Sequence, residues 1–314
     1  MKAQPEVEFE AAYLSPLRSG ELRARVSAAR ELLRACRLCP RECRVNRLEG
    51  ELGTCRVGAT AMVSSYGPHF GEESPLVGQH GSGTIFLTHC NLRCLFCQNY
   101  DISHLGQGQA ADPDQLAEMM LALQGRGCHN INFVTPTHQV PQILEALEIA
   151  AGRGLNLPLV YNCGGYESLE TLRLLEDVFD IYMPDAKYGD NRVGQRLSQV
   201  PDYWDRNREA LAEMHRQVGD LRLDERGTAR RGLLVRHLVL PQGLAGTRQV
   251  MEFLASLSRN CYVNVMAQYR PCYRAQEVPE LRRPITAAEY DEALEAALVA
   301  GLTRLDERWA LRLR

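Results

Sequence analysis

The sequence predicts an α/β fold in which a parallel sheet carries helices on its outer side. Short apolar runs alternate with helical patterns, and six such units follow one another between residues 84 and 266. The runs are almost continuously apolar, as in strands of a parallel sheet that are buried on both faces. The chain of 314 residues, 45% of them hydrophobic, is long enough for one such core with appendages.

The first predicted strand is Thr84–Thr88, which is rich in β-branched and aromatic residues and follows two glycines. A helix begins after it at Pro113, because proline favours the first helical position. The glycine-containing stretch 60–83 before the strand is predicted to be a loop. Nearer the N-terminus, Ser19 is the expected N-cap of a helix that continues through Leu33.

The other elements follow in order. The remaining strands are predicted at Asn130–Val134, Leu157–Tyr161, Ile181–Met183, Leu233–Leu240 and Tyr262–Met266. The remaining helices are predicted at Pro141–Ala151, Leu169–Phe179, near 190–197 and 203–217, at Gly246–Leu257, and at Thr286–Leu302 with a capping box. In the loop before the first strand, His69, Glu72 and Glu73 could line a site, although such a pair is more typical of surface hydrogen bonding.

Composition excludes several function classes. A formal charge of −3 provides no basic field, so the sequence predicts no nucleic-acid partner. No apolar run approaches the roughly 20 residues that span a bilayer, which predicts no membrane partner. The segment Met1–Glu8 lacks the apolar core of a signal peptide, so a cytoplasmic location is expected. In that reducing compartment the eleven cysteines are expected to be metal ligands or redox groups rather than disulfides.

Three cysteines, Cys90, Cys94 and Cys97, lie at C-x3-C-x2-C spacing directly after the first strand. Their thiolates suit an iron–sulfur cluster or zinc, and a full 4Fe–4S site takes four cysteines. Three ligands leave one metal position open, which is what a catalytic metal requires. The alternative interpretation is half of a zinc site at Cys94 and Cys97, with Cys90 incidental.

A second group follows the pattern C-x2-C-x3-C-x11-C near the N-terminus, at Cys36, Cys39, Cys43 and Cys55. Four soft ligands predict a closed site for zinc or a second iron–sulfur cluster, with a structural or electron-conducting role. The chain is accordingly divided into an N-terminal helix and cysteine knuckle (1–80), a core barrel (81–275) and a C-terminal helical extension (276–314).

Polar residues follow the predicted strands, where a parallel barrel places its functional groups. The second to fourth strands are followed by segments that contain Thr135, Thr137 and His138, then Asn162, then Asp185 and Lys187; Arg236 lies within the fifth strand, and Tyr269 and Cys272 follow the sixth. A thiol such as Cys272 could donate a hydrogen atom to a substrate radical, and Tyr269 lies beside it. A free cysteine is more often a small buried apolar group.

The three-cysteine motif, with Phe96 before its last cysteine and Asn99 two residues after it, resembles that of radical S-adenosylmethionine (SAM) enzymes. The resemblance implies a partial (β/α)6 TIM-like barrel whose cysteines hold a 4Fe–4S cluster. The fourth iron would bind SAM, which one electron cleaves to methionine and a 5′-deoxyadenosyl radical. The backbone of Phe96 is expected to face the adenine.

Segment order over about 84–272 is similar to that of pyruvate formate-lyase activating enzymes. That resemblance implies that Asp185, Lys187 and Arg236 support SAM binding, with Asn162, Thr135, Thr137 and His138 nearby. The family's Gly-Gly-Glu-Pro segment is replaced by Thr135-Pro136-Thr137-His138, so a carboxylate is missing.

Two substrate classes stay open under this resemblance, a glycyl-radical protein and a small molecule that is epimerised or dehydrogenated. An electron donor such as flavodoxin or ferredoxin is the further partner implied. A non-catalytic iron–sulfur or zinc scaffold, which would not bind SAM, is the alternative from another class.

Overall fold

The computed structural model describes residues 9–306, so the segment Met1–Glu8 that was considered for a signal peptide lies outside the described residues. The described strands are β1 (Ala61–His69), β2 (Ser82–Leu87), β3 (Gln109–Ala111), β4 (Ile131–Val134), β5 (Leu159–Cys163), β6 (Ile181–Pro184), β7 (Arg222–Leu223), β8 (Ala229–Leu238), β9 (Tyr262–Met266) and β10 (Arg304–Leu305). The described helices are α1 (Leu14–Ser19), α2 (Glu21–Glu31), α3 (Ser74–Val77), α4 (Tyr100–Ser103), α5 (Pro113–Gly125), α6 (Val140–Gly152), α7 (Leu169–Leu174), α8 (Asn191–Ser198), α9 (Tyr203–Val218), α10 (Thr247–Leu257) and α11 (Ala287–Val299).

The sheet has the strand order β10-β9-β8-β6-β5-β4-β2-β1-β3, with β7 paired to β8. The six predicted strands are β2, β4, β5, β6, β8 and β9, and each is parallel to its neighbour in this series. The prediction of an α/β fold with a partial barrel is therefore confirmed. The described sheet does not close on itself, because β3 and β10 remain its two edges.

Side chains alternate between the two faces of this curved sheet. Val160, Ile181, Met183 and Leu234 form one buried cluster with Leu76 of α3. The intervening residues pack in the larger core between the sheet and its helices. The face that carries Val160 and Met183 is thus the inner face, and α3 packs at the amino end of the strands, where the Leu76 carbonyl accepts a 2.9 Å hydrogen bond from the amide of Asn130.

The stretch 60–83 is not a loop, as the sequence predicted, but contains β1 and α3. β1 pairs antiparallel with β2 and with β3. Its Ser, Gly and Pro residues and its largely half-buried or exposed second half hide the strand from pattern analysis. Gly81, with φ at +83°, lies after α3 and directly before β2, so the glycine signal marked only the start of the second strand of this pair.

Two helix predictions were also wrong in their extent. The helix predicted to follow Ser19 and continue through Leu33 is α2, which runs only from Glu21 to Glu31; its N-cap is Gly20, whose φ is +80°, because Ser19 is the last residue of α1. The helix predicted over Leu169–Phe179 ends at Leu174, and Asp177 then adopts a left-handed φ of +54°. The capping box of α11 is confirmed, with Thr286 and Glu289 bonding reciprocally. Within residues 9–306 no helix has the length and apolarity needed to cross a membrane.

Candidate iron–sulfur and cofactor site

The cluster loop, defined as residues 88–99, leaves the carboxyl end of β2 through a strained turn. His89 has a φ of +64°, which a residue with a large side chain rarely adopts. Its backbone N–H donates to the Ile102 carbonyl at 3.0 Å, and its Nδ1 lies 2.7 Å from the hydroxyl of Thr88. These contacts hold the turn that presents Cys90 beyond the strand end.

Each of the three sulfurs in the cluster loop has a hydrogen-bonding partner. Ser198 donates to Cys94 Sγ at 3.0 Å, and Ser103 Oγ lies 3.0 Å from Cys97 Sγ. The backbone N–H of Leu92 donates to the sulfur of Cys90. Burial and then the two neighbouring thiols raise the pKa of Cys90, so the three sulfurs lie close enough to interact. Clustered thiols with N–H and O–H donors are the ligand set that an iron–sulfur cluster requires, so the residues fit this group.

A charged triad lies beside these sulfurs, where β6 ends and β8 runs past it. The carboxylate of Asp185 accepts from Lys187 Nζ at 2.5 Å and from Arg236 Nε at 3.0 Å. Burial alone would raise the pKa of Asp185, but the two cations outweigh it and lower this pKa below its ordinary value. The ammonium of Lys187 partly offsets the burial that raises the pKa values of Cys90 and Cys97. Despite its own burial, Asp185 and then Cys94 raise the pKa of Lys187, which places the ammonium next to the cluster loop.

Buried polar atoms without a hydrogen-bond partner lie along the inner face of the sheet. Both amide atoms of Asn132, the amide oxygens of Asn162 and Asn264, and one carboxylate oxygen of Glu73 are in this state among the described residues. The amide nitrogen of Asn264 donates to the other Glu73 oxygen at 2.9 Å. Because leaving such atoms buried and unpaired is costly, they indicate a position for a polar ligand inside the barrel.

Phe96, Tyr269 and Asn99 support the cluster loop. The buried ring of Phe96 packs edge-on against Tyr269, with 5.9 Å between ring centroids. The hydroxyl of Tyr269 donates to the Leu281 carbonyl at 2.7 Å, so this group is used in packing. The backbone N–H of Asn99 donates to the sulfur of Cys97. Cys272 is half-buried and follows Tyr269 on the same segment, and the catalytic roles suggested for these two residues stay predictions.

The segment after β4 turns at Thr135, whose φ of +62° is unusual for a β-branched residue. Its N–H donates to the carbonyl of Asn162 at 2.8 Å, which ties the ends of β4 and β5 together. Thr137 donates to the carboxylate of Glu167 at 2.8 Å, and Tyr161 donates to the other oxygen at 2.9 Å. Burial raises the pKa of Glu167 to about 7 despite these bonds.

His138 lies between the two cysteine groups. Its Nε2 is 2.9 Å from the carbonyl of Thr88, and its buried Nδ1 has no partner among the described residues. Burial lowers the pKa of His138 to about 3, so the ring is neutral. Asn162, Asp185, Lys187 and Arg236 lie on the inner side of the barrel, whereas Thr137 bonds to Glu167 and His138 bonds to Thr88 of the cluster loop.

The N-terminal cysteines meet around one small cavity. Cys36, Cys39, Cys43 and Cys55 all line it, together with Arg47, Asn91 and His138. Gly53 is needed there, because a Cβ at this position would lie 2.9 Å from Cys43 Sγ.

Within the described part of the chain, no group of three or more His, Cys, Asp or Glu side chains is arranged to hold a single metal ion. A larger open groove of about 700 Å³ between α10 and α11 contains none of the predicted site residues.

Sequence analysis missed several residues of the site. Asn132 and Asn264 are polar residues inside otherwise apolar strands, which was a usable signal for a lined interior. Arg47 and Glu167 gave no local signal, because charged residues are usually exposed and both are buried here.

Comparison with known proteins gives three kinds of match. The model of the radical SAM superfamily matches residues 84–221. An uncharacterized protein of Methanocaldococcus jannaschii is 34% identical over 283 residues, which cover 87% of this chain and 77% of that protein.

Two solved structures are similar to part of this chain. A radical SAM methyltransferase from Sphaerobacter thermophilus has 16% identity and a TM-score of 0.48 over 70% of this chain. A radical SAM methyltransferase from Kitasatospora setae, solved with tryptophan and a SAM analogue, has 10% identity and a TM-score of 0.49 over 69% of this chain. The chain spans 64% and 52% of their respective lengths, less than two thirds of either. On the family match and the archaeal relative, the chain belongs to the radical SAM superfamily, whose cofactors are a 4Fe–4S cluster and SAM.

Proposed function

We propose that this protein is a radical SAM enzyme that abstracts hydrogen from a substrate held on the inner face of its barrel. The observation that carries the proposal is the position of three hydrogen-bonded sulfurs at the end of β2, beside the triad of Asp185, Lys187 and Arg236. When bound, the cluster and SAM supply reductive cleavage to methionine and a 5′-deoxyadenosyl radical.

The triad is the part of the chain best suited to orient SAM. SAM carries a carboxylate, an ammonium and a sulfonium, so a site for it needs charged groups of both signs. Lys187 and Arg236 supply positive charge and Asp185 supplies negative charge. Lys187 interacts electrostatically with Cys90 of the cluster loop. The unpaired amide oxygen of Asn162 lies on the same inner face.

A small polar molecule is the substrate class that the interior favours. Glu73, Asn132 and Asn264 present unpaired acceptors and donors deep in the barrel, below the triad. Leu76 of α3 packs with the inner-face residues at the amino end, which closes that end to a long chain. Hydrogen bonds from several amides suit a molecule with more than one polar group.

Activation of a glycyl-radical protein is the second candidate. The order of segments resembling pyruvate formate-lyase activating enzymes supports it, as does the open sheet, whose edges β3 and β10 do not pair. A peptide loop would need such an opening to reach the cluster loop. An electron donor of the flavodoxin or ferredoxin class and a reducing, cytoplasmic setting belong to the same proposal, supported by eleven free cysteines.

The test is anaerobic reconstitution followed by dithionite and SAM, with 5′-deoxyadenosine as the product measured. The native chain should form it and Cys90→Ala should not, whereas Cys128→Ala, at the opposite end of the barrel, should behave as the native chain. Absence of product from a fully reconstituted native chain would overturn the proposal. Adding the ultrafiltrate or the retentate of a cell extract then separates the candidates: the ultrafiltrate should stimulate product formation if the substrate is small, and the retentate if it is a protein.

A further inference from the structure

We propose that the four N-terminal cysteines hold a second iron–sulfur cluster that passes electrons to the cluster loop. All four sulfurs border one cavity, and each accepts a hydrogen bond from a nitrogen. Thr54 N–H donates to Cys43 at 3.4 Å, Arg41 N–H to Cys39, Val57 N–H to Cys55, and the Arg47 guanidinium to Cys36 at 3.8 Å. Such N–H donors stabilise the negative charge of thiolate sulfurs.

Arg47 indicates an anionic occupant of this cavity. It is 1% exposed, and its remaining guanidinium bonds go to the Gly58 carbonyl at 2.8 and 3.2 Å. Among the described residues it forms no ion pair with a carboxylate. A buried guanidinium needs a counter-charge, because desolvating an unpaired cation is costly. Four thiolates around a metal centre would supply that charge beside Cys36.

His138 provides an independent sign of a ligand. Its ring lines the same cavity and is 1% exposed. Since Nε2 is occupied by the Thr88 carbonyl, the buried Nδ1 is left with a lone pair and no partner among the described residues.

The position of the cavity favours a redox-active centre over zinc. Asn91 lines the cavity, and the residue before it is Cys90 of the cluster loop. Arg41, between Cys39 and Cys43, donates its Nε–H to the Asn91 carbonyl at 2.7 Å. One hydrogen bond therefore connects Arg41, which lies two residues from Cys39 and two from Cys43, to Asn91, the neighbour of Cys90. A redox-inert zinc ion would gain nothing from this contact, whereas an electron carrier would.

The relay rests on the proposed SAM chemistry, but the occupancy of the cavity does not. A low-potential one-electron donor of the flavodoxin or ferredoxin class reduces the four-cysteine centre. That centre is oxidised again when the same electron passes to the centre held by Cys90, Cys94 and Cys97. No proton or bond changes hands in this transfer.

Occupancy is tested by counting iron, acid-labile sulfide and zinc after anaerobic reconstitution. The native chain should hold about eight irons, and the Cys90→Ala/Cys94→Ala and Cys36→Ala/Cys39→Ala variants about four each. The first variant isolates the N-terminal site, so its iron count does not depend on SAM cleavage. One zinc and no iron in that variant would overturn the proposal.

The relay is tested by electron paramagnetic resonance of the dithionite-reduced proteins. Neighbouring reduced centres should interact, so the native spectrum should differ from the sum of the spectra of the two double variants. A native spectrum equal to that sum would contradict the relay while leaving the occupancy result intact.

Arg47 is tested in the Cys90→Ala/Cys94→Ala background by redox titration. Arg47→Met should lower the midpoint potential of the remaining centre, because loss of a buried positive charge disfavours the added electron. Arg47→Lys keeps the charge and should restore most of the potential, and Arg34→Met, at an exposed surface pair with Glu31, should not change it. An unchanged potential in both Arg47 variants would refute the counter-charge role.

Discussion

Asp185 is the carboxylate that pairs with both cations of the charged triad. Its carboxylate pairs with Lys187 at 2.5 Å and with Arg236 at 3.0 Å, and all three side chains are largely buried. Sequence analysis could name these residues because they follow or occupy predicted strands. Their mutual pairing could not be predicted, because it depends on the register that bridges Asp185 to Arg236.

Removing this carboxylate should destabilise the protein strongly. Asp185→Asn leaves two buried cations with one neutral acceptor, which typically costs about 3–5 kcal/mol in the free energy of unfolding. Anaerobic denaturant unfolding measures the effect. Glu280→Gln, which breaks an exposed pair with Arg196, is the control and should leave the midpoint unchanged. If Asp185→Asn is equally silent, the triad does not carry the electrostatic role assigned to it.

Between elements, the loop after β5 packs tightly against the loop after β6 at one glycine. Gly165 follows β5 with a φ of +74°, and a Cβ there would lie 2.0 Å from the Asp185 carbonyl and 2.3 Å from Asn207 Nδ2. The sequence contains this glycine within Gly164-Gly165, but the close approach of the loop after β6 could not be foreseen without the tertiary structure.

Gly165→Ala should therefore be among the most damaging single substitutions, with a loss above about 4 kcal/mol. Gly125→Ala is the matched control: it ends α5, nothing lies within 4 Å of the added Cβ, and helix propensity favours alanine. The control should be neutral or stabilise by up to about 1 kcal/mol. Thermal unfolding of the two variants compares them, and equal melting temperatures would contradict the packing described for Gly165.

Glu167 links the segments after β4 and β5 and should make stability depend on pH. Its pKa is raised from 4.5 to about 7 by burial, so the native state keeps a proton that the unfolded chain releases. The resulting stabilisation is complete below pH 4.5 and is lost as the pH rises through 7, and it amounts to on the order of 3 kcal/mol.

The measurement compares the free energy of unfolding of the native chain with that of Glu167→Gln across this pH range. The advantage of the native chain should shrink as the pH rises. Contributions of the buried histidines His138 and His237, which act in the opposite direction, are common to both proteins and cancel in the difference. A difference that does not change with pH would contradict the raised pKa.

For the whole molecule, the order of βα units predicted the six parallel strands and the position of the helices on the outside of the sheet. It did not reveal β1, whose hairpin with β2 is stabilised by long pairing rather than by an apolar pattern. The cysteine spacing identified both cysteine groups as candidate ligand sets, but not their contact through Asn91, since that contact joins segments 50 residues apart. The three-part division at residues 80 and 275 stays a proposal.

Cluster formation at each of the two cysteine groups should become faster as the pH rises. Burial raises the pKa of Cys39, Cys55, Cys90 and Cys97, and metal binding requires their thiolates. Each ligand must therefore release a proton, so cluster formation should speed up from about pH 7 to about pH 9. Visible absorbance during reconstitution measures this rate. Cys261→Ala, outside both groups, should follow the same profile, and a pH-independent rate would contradict proton release by these thiols.

The placement of Arg41 has a consequence for how the chain is made. Its guanidinium also donates to the carbonyls of Ser198 and Gln199, so Arg41, which lines the four-cysteine cavity, is held in place by residues translated long after Cys55. A nascent polypeptide leaving the ribosome exposes these four thiols before the barrel that encloses them exists. Maturation of this centre in its final surroundings must therefore wait until about two thirds of the protein has been synthesised.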